Sequence, residues 1–150
     1  MRGWLLDTNV ISELRKVRCD AKVRAWADSQ PAASLFLSTV TLAEIRYGIE
    51  LLARTDPLRP RLEAWLEREL RPWFADRVCA IDEDVLVIWR RLVEQGRAMR
   101  LTFAQPDLFI AAIATLHDLC VVTRNIGDFV AARVPVLNPW TDARPRLPAN

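Results

Sequence analysis

Four acidic residues follow apolar runs or open helical patterns in this sequence: Asp7, Glu44, Asp107 and Asp128. In parallel α/β sheets such positions gather at the carboxyl edge, where ligands bind. Carboxylates that meet in a partly desolvated cleft repel one another, which raises their pKa values unless cations neutralise them. Hard oxygen ligands suit Mg²⁺ or Mn²⁺, which keep several waters and bind substrate phosphate oxygens. The set therefore predicts a metal site for phosphodiester hydrolysis by activated water, with no protein nucleophile.

Each of these residues, taken singly, also has a structural explanation. Asp7 can cap a helix, and Thr41-Leu42-Ala43-Glu44 matches a capping box, in which the glutamate reaches back to the cap N–H. Asp107 and Asp128 both stand in helix-start patterns, where the helix dipole stabilises an acid. The prediction of a metal site therefore depends on all four meeting at one place.

Short apolar runs alternate with helical patterns along the chain, which indicates an α/β fold with a mainly parallel sheet of about five strands. The predicted strands are Trp4–Leu6, Ser34–Leu37, Val78–Ile81, Leu119–Val122 and Val134–Leu137. Apolar residues recur at steps of three or four from Leu42 to Leu52 and from Leu58 to Trp73, which predicts two core-facing helices. Further helices are predicted over residues 84–99 and 106–116.

Length and composition indicate one compact domain. The chain has 150 residues, of which 51% are hydrophobic, and a formal charge of +2. We expect residues 1–140 to form a single domain and residues 141–150, which contain Pro and Arg, to form a flexible C-terminal tail. The charge is too near balance to indicate a nucleic-acid binder, and a single histidine excludes a multi-histidine metal site.

The cysteines and the hydropathy pattern indicate a cytoplasmic protein. Cys19, Cys79 and Cys120 are odd in number, and two of them lie in apolar runs, as buried free thiols do in a reducing compartment. The first apolar run meets Asp7 at once, and no later run approaches the roughly 20 residues that a membrane span needs. We therefore expect no membrane contact.

The segments around the four acids also occur in a familiar order. They are Leu5-Leu6-Asp7-Thr8-Asn9-Val10-Ile11-Ser12-Glu13, Ser38-Thr39-Val40-Thr41-Leu42-Ala43-Glu44-Ile45-Arg46-Tyr47-Gly48-Ile49, Asp107-Leu108-Phe109-Ile110-Ala111-Ala112-Ile113-Ala114 and Val121-Val122-Thr123-Arg124-Asn125-Ile126-Gly127-Asp128-Phe129. Together with the closing Val134–Trp140, they resemble PIN domains, and more narrowly the VapC-type (FitB-like) toxins of bacterial toxin–antitoxin pairs. Four ordered motifs that span nearly the whole chain are far more specific than any one of them.

The resemblance implies a PIN-like three-layer α/β/α fold and a role for each matching residue. It makes Asp7, Glu44, Asp107 and Asp128 the catalytic and metal-binding set, with Asp7 and Asp107 the most secure. Residues that would orient carboxylates or water are Thr8, Asn9, Thr123 and Asn125. Arg46 and Arg124 lie beside site residues, where they could contact RNA phosphates or remain solvated. The segment Ala104-Gln105-Pro106, just before Asp107, is less typical of the family.

The same resemblance implies an activity and partners. It implies Mg²⁺- or Mn²⁺-dependent cleavage of RNA in the cytoplasm by a homodimer. It also implies inhibition by a small antitoxin whose C-terminal segment covers the acidic groove. An inserted Arg or Lys could neutralise the carboxylates there in place of metal. The antitoxin, rather than this chain, would contact operator DNA.

Two alternatives belong to other functional classes. One is a catalytically silent PIN-like module that binds RNA or a partner, although a protein without activity has little reason to keep a costly acidic cluster. The other is a phosphatase that uses Asp7 as a covalent nucleophile. Such enzymes have a second Asp two residues later, where this chain has Asn9.

Overall fold

A five-stranded, all-parallel sheet forms the centre of the protein. The computed structural model describes residues 1–150. Its strands are β1 (Gly3–Leu6), β2 (Leu35–Ser38), β3 (Val78–Cys79), β4 (Leu119–Val122) and β5 (Val136–Leu137). They lie in the order β3-β2-β1-β4-β5, and every neighbouring pair is parallel. The prediction of a parallel sheet of about five strands is confirmed.

Helices cover both faces of the sheet. They are α1 (Thr8–Arg15), α2 (Ala21–Asp28), α3 (Thr39–Glu50), α4 (Leu58–Trp65), α5 (Arg71–Trp73), α6 (Glu83–Ala98), α7 (Gln105–His117) and α8 (Gly127–Ala131). A π-helical segment, Leu66–Leu70, joins α4 to α5, and a 3₁₀ turn, Ala32–Ser34, precedes β2. None of the helices is both long and apolar enough to cross a membrane.

Two apolar cores, one on each face, hold the three layers together. Successive strand residues point to opposite faces, so Leu5 packs with α6 and α7 while Leu6 packs with α1, α3 and the π-helical segment. All four residues of β4 are buried, as expected for a central strand covered on both sides. The α/β/α sandwich predicted from the sequence is therefore confirmed.

The order in which strands are added to the sheet reverses between β1 and β4. From β1 the chain proceeds to β2 and β3 on one side, and it returns later to place β4 and β5 on the other. Leu6 is in register with Val122, and the Asp7 N–H donates to the carbonyl of Val122 at 3.0 Å. The next residues, Asp7 and Thr123, therefore lie side by side at the switch point, where α/β sheets bind ligands.

Three elements differ most from the sequence prediction. β5 spans Val136–Leu137 rather than Val134–Leu137. β3 ends at Cys79 rather than Ile81, because its partner strand turns into α3 immediately after the Ser38–Cys79 pair. Helix α2 was not predicted, since Val23 is its only fully buried residue and the apolar periodicity is correspondingly weak. Asp20 starts this helix by accepting the backbone N–H groups of residues 22 and 23.

The C-terminal residues pass along the outer edge of the sheet. Arg146 forms an antiparallel bridge with Val136 of β5 and an ion pair with Asp142 at 3.0 Å. These contacts cover part of an otherwise open strand edge. The boundary after residue 140 and the flexibility of residues 141–150 stay predictions.

Candidate active site

Asp7 is a buried carboxylate at the carboxyl end of the central strand. Its side chain is only 6% exposed and caps α1 by accepting the Thr8 N–H at 2.8 Å. The capping explanation is thus correct for Asp7, but capping occupies one oxygen only. Burial raises the pKa of Asp7, against the lowering effect of hydrogen bonds from Thr123 and Thr8.

A polar network joins Asp7 to the end of β4. The Thr123 hydroxyl donates to Asp7 Oδ2 at 2.8 Å, and Asn9 Nδ2 donates to the same oxygen at 3.3 Å and to Thr123 Oγ1 at 3.0 Å. Asn9 Oδ1 accepts the Arg124 N–H at 3.0 Å, and Thr123 Oγ1 accepts the Asn125 N–H at 3.1 Å. These contacts fix Asp7 against a neighbouring strand that is more than 100 residues away in sequence.

Glu44 approaches Asp7 from helix α3. The helix begins at Thr39, and Ser38 caps it by accepting the Thr41 N–H at 3.1 Å. The capping-box explanation of Glu44 is therefore wrong, because Thr41 is already inside the helix. The pKa of Glu44 is raised by partial burial and by the negative charge of Asp7, and the nearby Thr8 hydroxyl lowers it.

Asp107 and Asp128 meet at the start of α7. Asp107 lies in the first turn of this helix, and Asp128 lies in the first turn of α8. Asp128 Oδ2 also accepts the Ala104 N–H at 3.0 Å, which ties α8 to the chain entering α7. Partial burial raises the pKa of Asp107 to about 6, with further contributions from the charges of Asp7 and Asp128, a side-chain hydrogen bond with Asp128 and the charge of Glu44.

The four acids therefore form one electrostatic cluster that no basic side chain of the chain neutralises. The pKa of Asp107 responds to the other three, and none of the four takes part in a salt bridge. The Thr8 hydroxyl is buried near Glu44, without the geometry of a hydrogen bond to any acceptor. Uncompensated carboxylates and an unpartnered buried hydroxyl are what a cation with bound water would satisfy.

The family model for the PIN domain matches residues 4–134, a stretch that contains all four acids. The chain belongs to the PIN-domain family.

Relatives of this PIN domain match it over nearly their full length. The plasmid stability protein StbB of Pseudomonas syringae pv. tomato is 43% identical, over 91% of this chain and 97% of its own. The toxin FitB of Neisseria gonorrhoeae is 40% identical, over 92% and 99%. The VapC ribonuclease Y4jK of Sinorhizobium fredii is 37% identical, over 93% and 99%.

Solved structures agree with these matches. A chain in the crystal structure of FitAcB from Neisseria gonorrhoeae superposes with a TM-score of 0.85 and 39% identity, over 91% of this chain and 98% of that one. Sequence comparison and structural superposition therefore agree on the fold and on the family.

The donor set of this PIN domain fits a hard divalent cation that keeps much of its water. No three His, Cys, Asp or Glu side chains stand at positions that would enclose a metal ion. Mg²⁺ commonly binds through only one or two carboxylates and completes its shell with water and substrate phosphate oxygens. Asp107 and Asp128, with Asp7 and Glu44 close enough to influence the pKa of Asp107, supply such a partial set.

The two arginines that were candidates for RNA contact lie in different surroundings. The Arg124 guanidinium lies over the Trp140 ring at 5.2 Å, and its backbone belongs to the network around Asp7. Arg46 instead lines a cavity between α3 and α4, together with Arg59 and Glu63. The fold thus brings Arg124 to the site and turns Arg46 towards a neighbouring helix.

A polar and aromatic group at the start of α7 was not predicted from the sequence. Gln105 accepts a hydrogen bond from Trp89 at 3.1 Å, and Trp89 stacks on Phe109. The only sequence signal was the atypical segment Ala104-Gln105-Pro106, because the partner Trp89 lies on another helix.

Proposed function

We propose that this PIN domain is a divalent-metal-dependent ribonuclease that acts as the toxin of a toxin–antitoxin pair. The observation that carries the proposal is the cluster of four carboxylates at the switch point, which no basic residue neutralises. The names of the relatives, a toxin and a VapC ribonuclease, support the same activity.

In this proposal Asp7, Glu44, Asp107 and Asp128 hold Mg²⁺ or Mn²⁺, with Asp7 and Asp107 the principal ligands. A bound divalent cation lowers the pKa of a coordinated water and stabilises negative charge on phosphate oxygens. Thr123 and Asn9 hold Asp7 Oδ2, and the free Thr8 hydroxyl is available to orient water or Glu44. Because the pKa of Asp107 is raised, cation binding by this carboxylate would strengthen as pH rises.

The same arrangement makes a covalent aspartyl intermediate a poor alternative. The second acid that such a mechanism needs two residues after the nucleophile is absent, because that position is Asn9. Asn9 takes part in the network around Asp7 as a donor and an acceptor, not as an acid. Attack by water needs no such nucleophile.

The proposed partners are those that membership of the PIN-domain family implies, and the charge of the site is compatible with them. RNA is the substrate, and a cation held by the carboxylates would offset their repulsion of its phosphates. A small antitoxin inhibits the enzyme by covering the acidic groove with a cationic segment, and it contacts DNA on behalf of the complex. The active form is a homodimer in the cytoplasm.

Asp7→Asn tests the metal site directly. The variant keeps the cap acceptor for Thr8 but removes a buried charge, so we expect an unchanged or higher melting temperature in EDTA. Mg²⁺-dependent RNA cleavage should fall by about 100-fold or more, since even indirect partners of metal ligands typically cost about ten- to 100-fold. Circular dichroism melts and a cleavage assay measure the two effects.

Asp82→Asn is the matched control, because Asp82 caps α6 in the same way and lies near the opposite edge of the sheet. It should leave cleavage unchanged. Chelation should stop cleavage by the unaltered chain and Mn²⁺ should restore it. Retained cleavage in Asp7→Asn, or activity indifferent to EDTA, contradicts the assignment, and metal binding without turnover identifies a silent binding module instead.

A further inference from the structure

Arg124 is the only basic residue in the hydrogen-bonded network around Asp7. Its backbone N–H donates to Asn9 Oδ1 at 3.0 Å, and Asn9 Nδ2 donates in turn to Asp7 Oδ2. Arg124 also directly follows Thr123, whose hydroxyl donates to the same carboxylate oxygen. The backbone of Arg124 is therefore fixed at the border of the acidic cluster by contacts that do not involve its side chain.

The Arg124 guanidinium has no anionic partner within the protein. The side chain is exposed, takes part in no salt bridge and makes no hydrogen bond to another residue. The pKa of Glu13 is lowered first by its hydrogen bond with Lys16, at 2.8 Å, and to a smaller extent by the charge of Arg124. Because that carboxylate is already paired and also accepts the Asp20 N–H, the guanidinium donors are free for a ligand.

The indole of Trp140 restricts the Arg124 side chain. The guanidinium carbon lies 5.2 Å from the centre of the Trp140 ring, within the range of a cation–π contact. Trp140 is half-buried and packs against the apolar core that contains Leu6. Because the donors of a guanidinium lie at the edge of its plane, stacking on a ring positions the group without using its N–H bonds.

Asn138 joins the two loops that carry this pair. Its Oδ1 accepts the Trp140 N–H at 3.0 Å, and its Nδ2 donates to the Arg124 carbonyl at 3.3 Å. Asp142 Oδ2 in turn accepts the Asn138 N–H at 3.2 Å. The segment that follows β5 therefore holds both the arginine and the ring on which it lies.

A guanidinium held in this way suits a phosphate, because its planar set of donors matches two phosphate oxygens at once. It is not placed to act at the acids themselves, since it forms no ion pair with them and its charge does not lower the pKa of Asp7 or Glu44. An RNA strand carries a phosphate at every nucleotide. A strand that is cut at the acidic cluster therefore presents a further phosphate beside it, on either side of the cut.

We propose that Arg124, positioned by Trp140 and Asn138, binds the RNA phosphate that lies next to the scissile one. Such a contact recognises the backbone rather than the bases, and it fixes the register of the strand on the acidic cluster. This inference rests on the ribonuclease function proposed above and identifies residues that hold the substrate.

Neutralising one phosphate at a time tests the contact. The substrate is a single-stranded RNA, selected from a randomised pool, that the unaltered chain cuts at one position with Mg²⁺. Modified copies carry one methylphosphonate linkage each, at a 2′-deoxy nucleotide, and each reference copy carries the same 2′-deoxy nucleotide with an ordinary phosphate. For the unaltered chain, neutralising one linkage adjacent to the cut should lower kcat/KM about five- to tenfold.

Arg124→Ala should make cleavage insensitive to that linkage. On the reference RNA it should lower kcat/KM about as much as the methylphosphonate does, and the two changes together should cost no more than either alone, since both remove one contact. The slope of log kcat/KM against log salt concentration should become shallower by about 0.7, as for one phosphate on a single strand. The melting temperature should stay the same, because the backbone N–H that bonds to Asn9 is kept.

Two changes at Trp140 test the positioning role of the ring. Trp140→Leu should lower kcat/KM about two- to fivefold and weaken the effect of the sensitive linkage, because the cation–π contact is lost. Trp140→Phe keeps a ring face and should restore both. A side chain that merely supported the fold would change cleavage of the reference and the modified RNA by the same factor.

Arg15 provides a matched control, because its guanidinium lies 5.8 Å from the centre of the Trp65 ring in a similar arrangement. Arg15 is the last residue of α1, and Asp7 caps the opposite end of that helix. Arg15→Ala should leave the cleavage rate, the sensitive linkage and the salt dependence unchanged.

The phosphate contact is overturned if no linkage adjacent to the cut is sensitive in the unaltered chain. It is also overturned if Arg124→Ala keeps that sensitivity, even with slower cleavage, since Arg124 would then only support the loop beside Asp7. Absence of any cleavage of the RNA pool by the unaltered chain overturns the ribonuclease function itself, and the phosphate contact with it.

Discussion

At the scale of single residues, burial and crowding set the behaviour of the acidic cluster. Asp7 is held by three hydrogen bonds from its own side of the sheet and from β4, yet burial still raises its pKa. Asp107 has fewer compensating donors and faces the other carboxylates, so its pKa rises to about 6. The metal-free protein therefore carries a cost of ionisation that a cation would remove.

The raised pKa of Asp107 predicts how the stability of the metal-free protein depends on pH. Because the pKa of Asp107 is raised from 3.8 to about 6, the folded state holds a proton that the unfolded state releases. The stability that protonated Asp107 contributes to the folded state is fully present below pH 3.8 and is lost as pH rises through about 6. In EDTA, Asp107→Asn should therefore melt higher than the unaltered chain at pH 7 to 8, and the difference should shrink towards pH 4. Thermal melts across this range measure it.

Asp84→Asn provides the comparison, since Asp84 is an exposed acid in the first turn of α6. That change removes a favourable helix-dipole interaction and should not raise the melting temperature. Saturating Mn²⁺ should reverse the advantage of Asp107→Asn. A pH-independent difference between Asp107→Asn and the unaltered chain would show that Asp107 does not titrate as described.

At the scale of elements, helix starts place the acids. Ser38 ends β2, and its buried hydroxyl caps α3 by accepting the Thr41 N–H. This cap fixes where α3 leaves the sheet and hence where Glu44 meets Asp7. Glu44 therefore depends on a polar contact six residues before it.

Ser38→Ala should destabilise the fold by about 1 kcal/mol and lower the cleavage rate, because the start of α3 is no longer fixed. Asp20→Ala removes the cap of α2, which carries no site residue. It should cost a similar amount of stability and leave the cleavage rate unchanged. Urea denaturation and single-turnover cleavage measure the pair, and equal effects on cleavage would contradict the positioning role of Ser38.

Replacing two helical glycines by alanine should change the free energy of unfolding in opposite directions. A Cβ at Gly48 of α3 would meet no atom within 4 Å, so Gly48→Ala should stabilise by about 0.5–1 kcal/mol through helix propensity. A Cβ at Gly96 of α6 would lie 2.6 Å from the Phe103 ring, so Gly96→Ala should destabilise by about 1 kcal/mol. Denaturant midpoints of the two variants give the comparison. Stabilisation by both would mean that the Phe103 ring moves aside freely.

At the scale of the whole molecule, the parallel sheet joins segments that are far apart in sequence. The switch point between β1 and β4 exists only when both halves of the chain are folded, so the network around Asp7 reports on the complete domain. The C-terminal residues contact the sheet at its outer edge, where Arg146 bridges to Val136 of β5.

Truncation distinguishes the paired part of the C-terminus from the rest. Removing residues 147–150 keeps the Arg146–Val136 bridge and should leave the melting temperature unchanged. Removing residues 143–150 deletes two backbone hydrogen bonds, of 3.1 and 2.8 Å, and exposes the β5 edge. The second truncation should cost about 1–2 kcal/mol, as measured by denaturation. Equal stability of both truncations would indicate that the predicted tail flexibility extends through Arg146.

The sequence by itself determined the parallel α/β class, the approximate positions of the strands and the identity of the four acids. These features depend on local patterns, such as the fully apolar run of β4 or the cap acceptor at Asp7, which neighbouring residues encode directly. The order of motifs also identified the family before the fold was known. Segments with weak apolar periodicity, such as α2, were not predicted as helices, because few of their residues are buried.

Only the tertiary structure decided how the acids meet. The Thr123–Asp7 hydrogen bond depends on β4 lying beside β1. The sequence suggested Thr41 as the cap of α3, but in the structure Ser38, at the end of β2, is the cap residue. The Gln105–Trp89 contact joins two helices through side chains alone. Such contacts depend on strand order and packing angles, which no local pattern of residue types encodes.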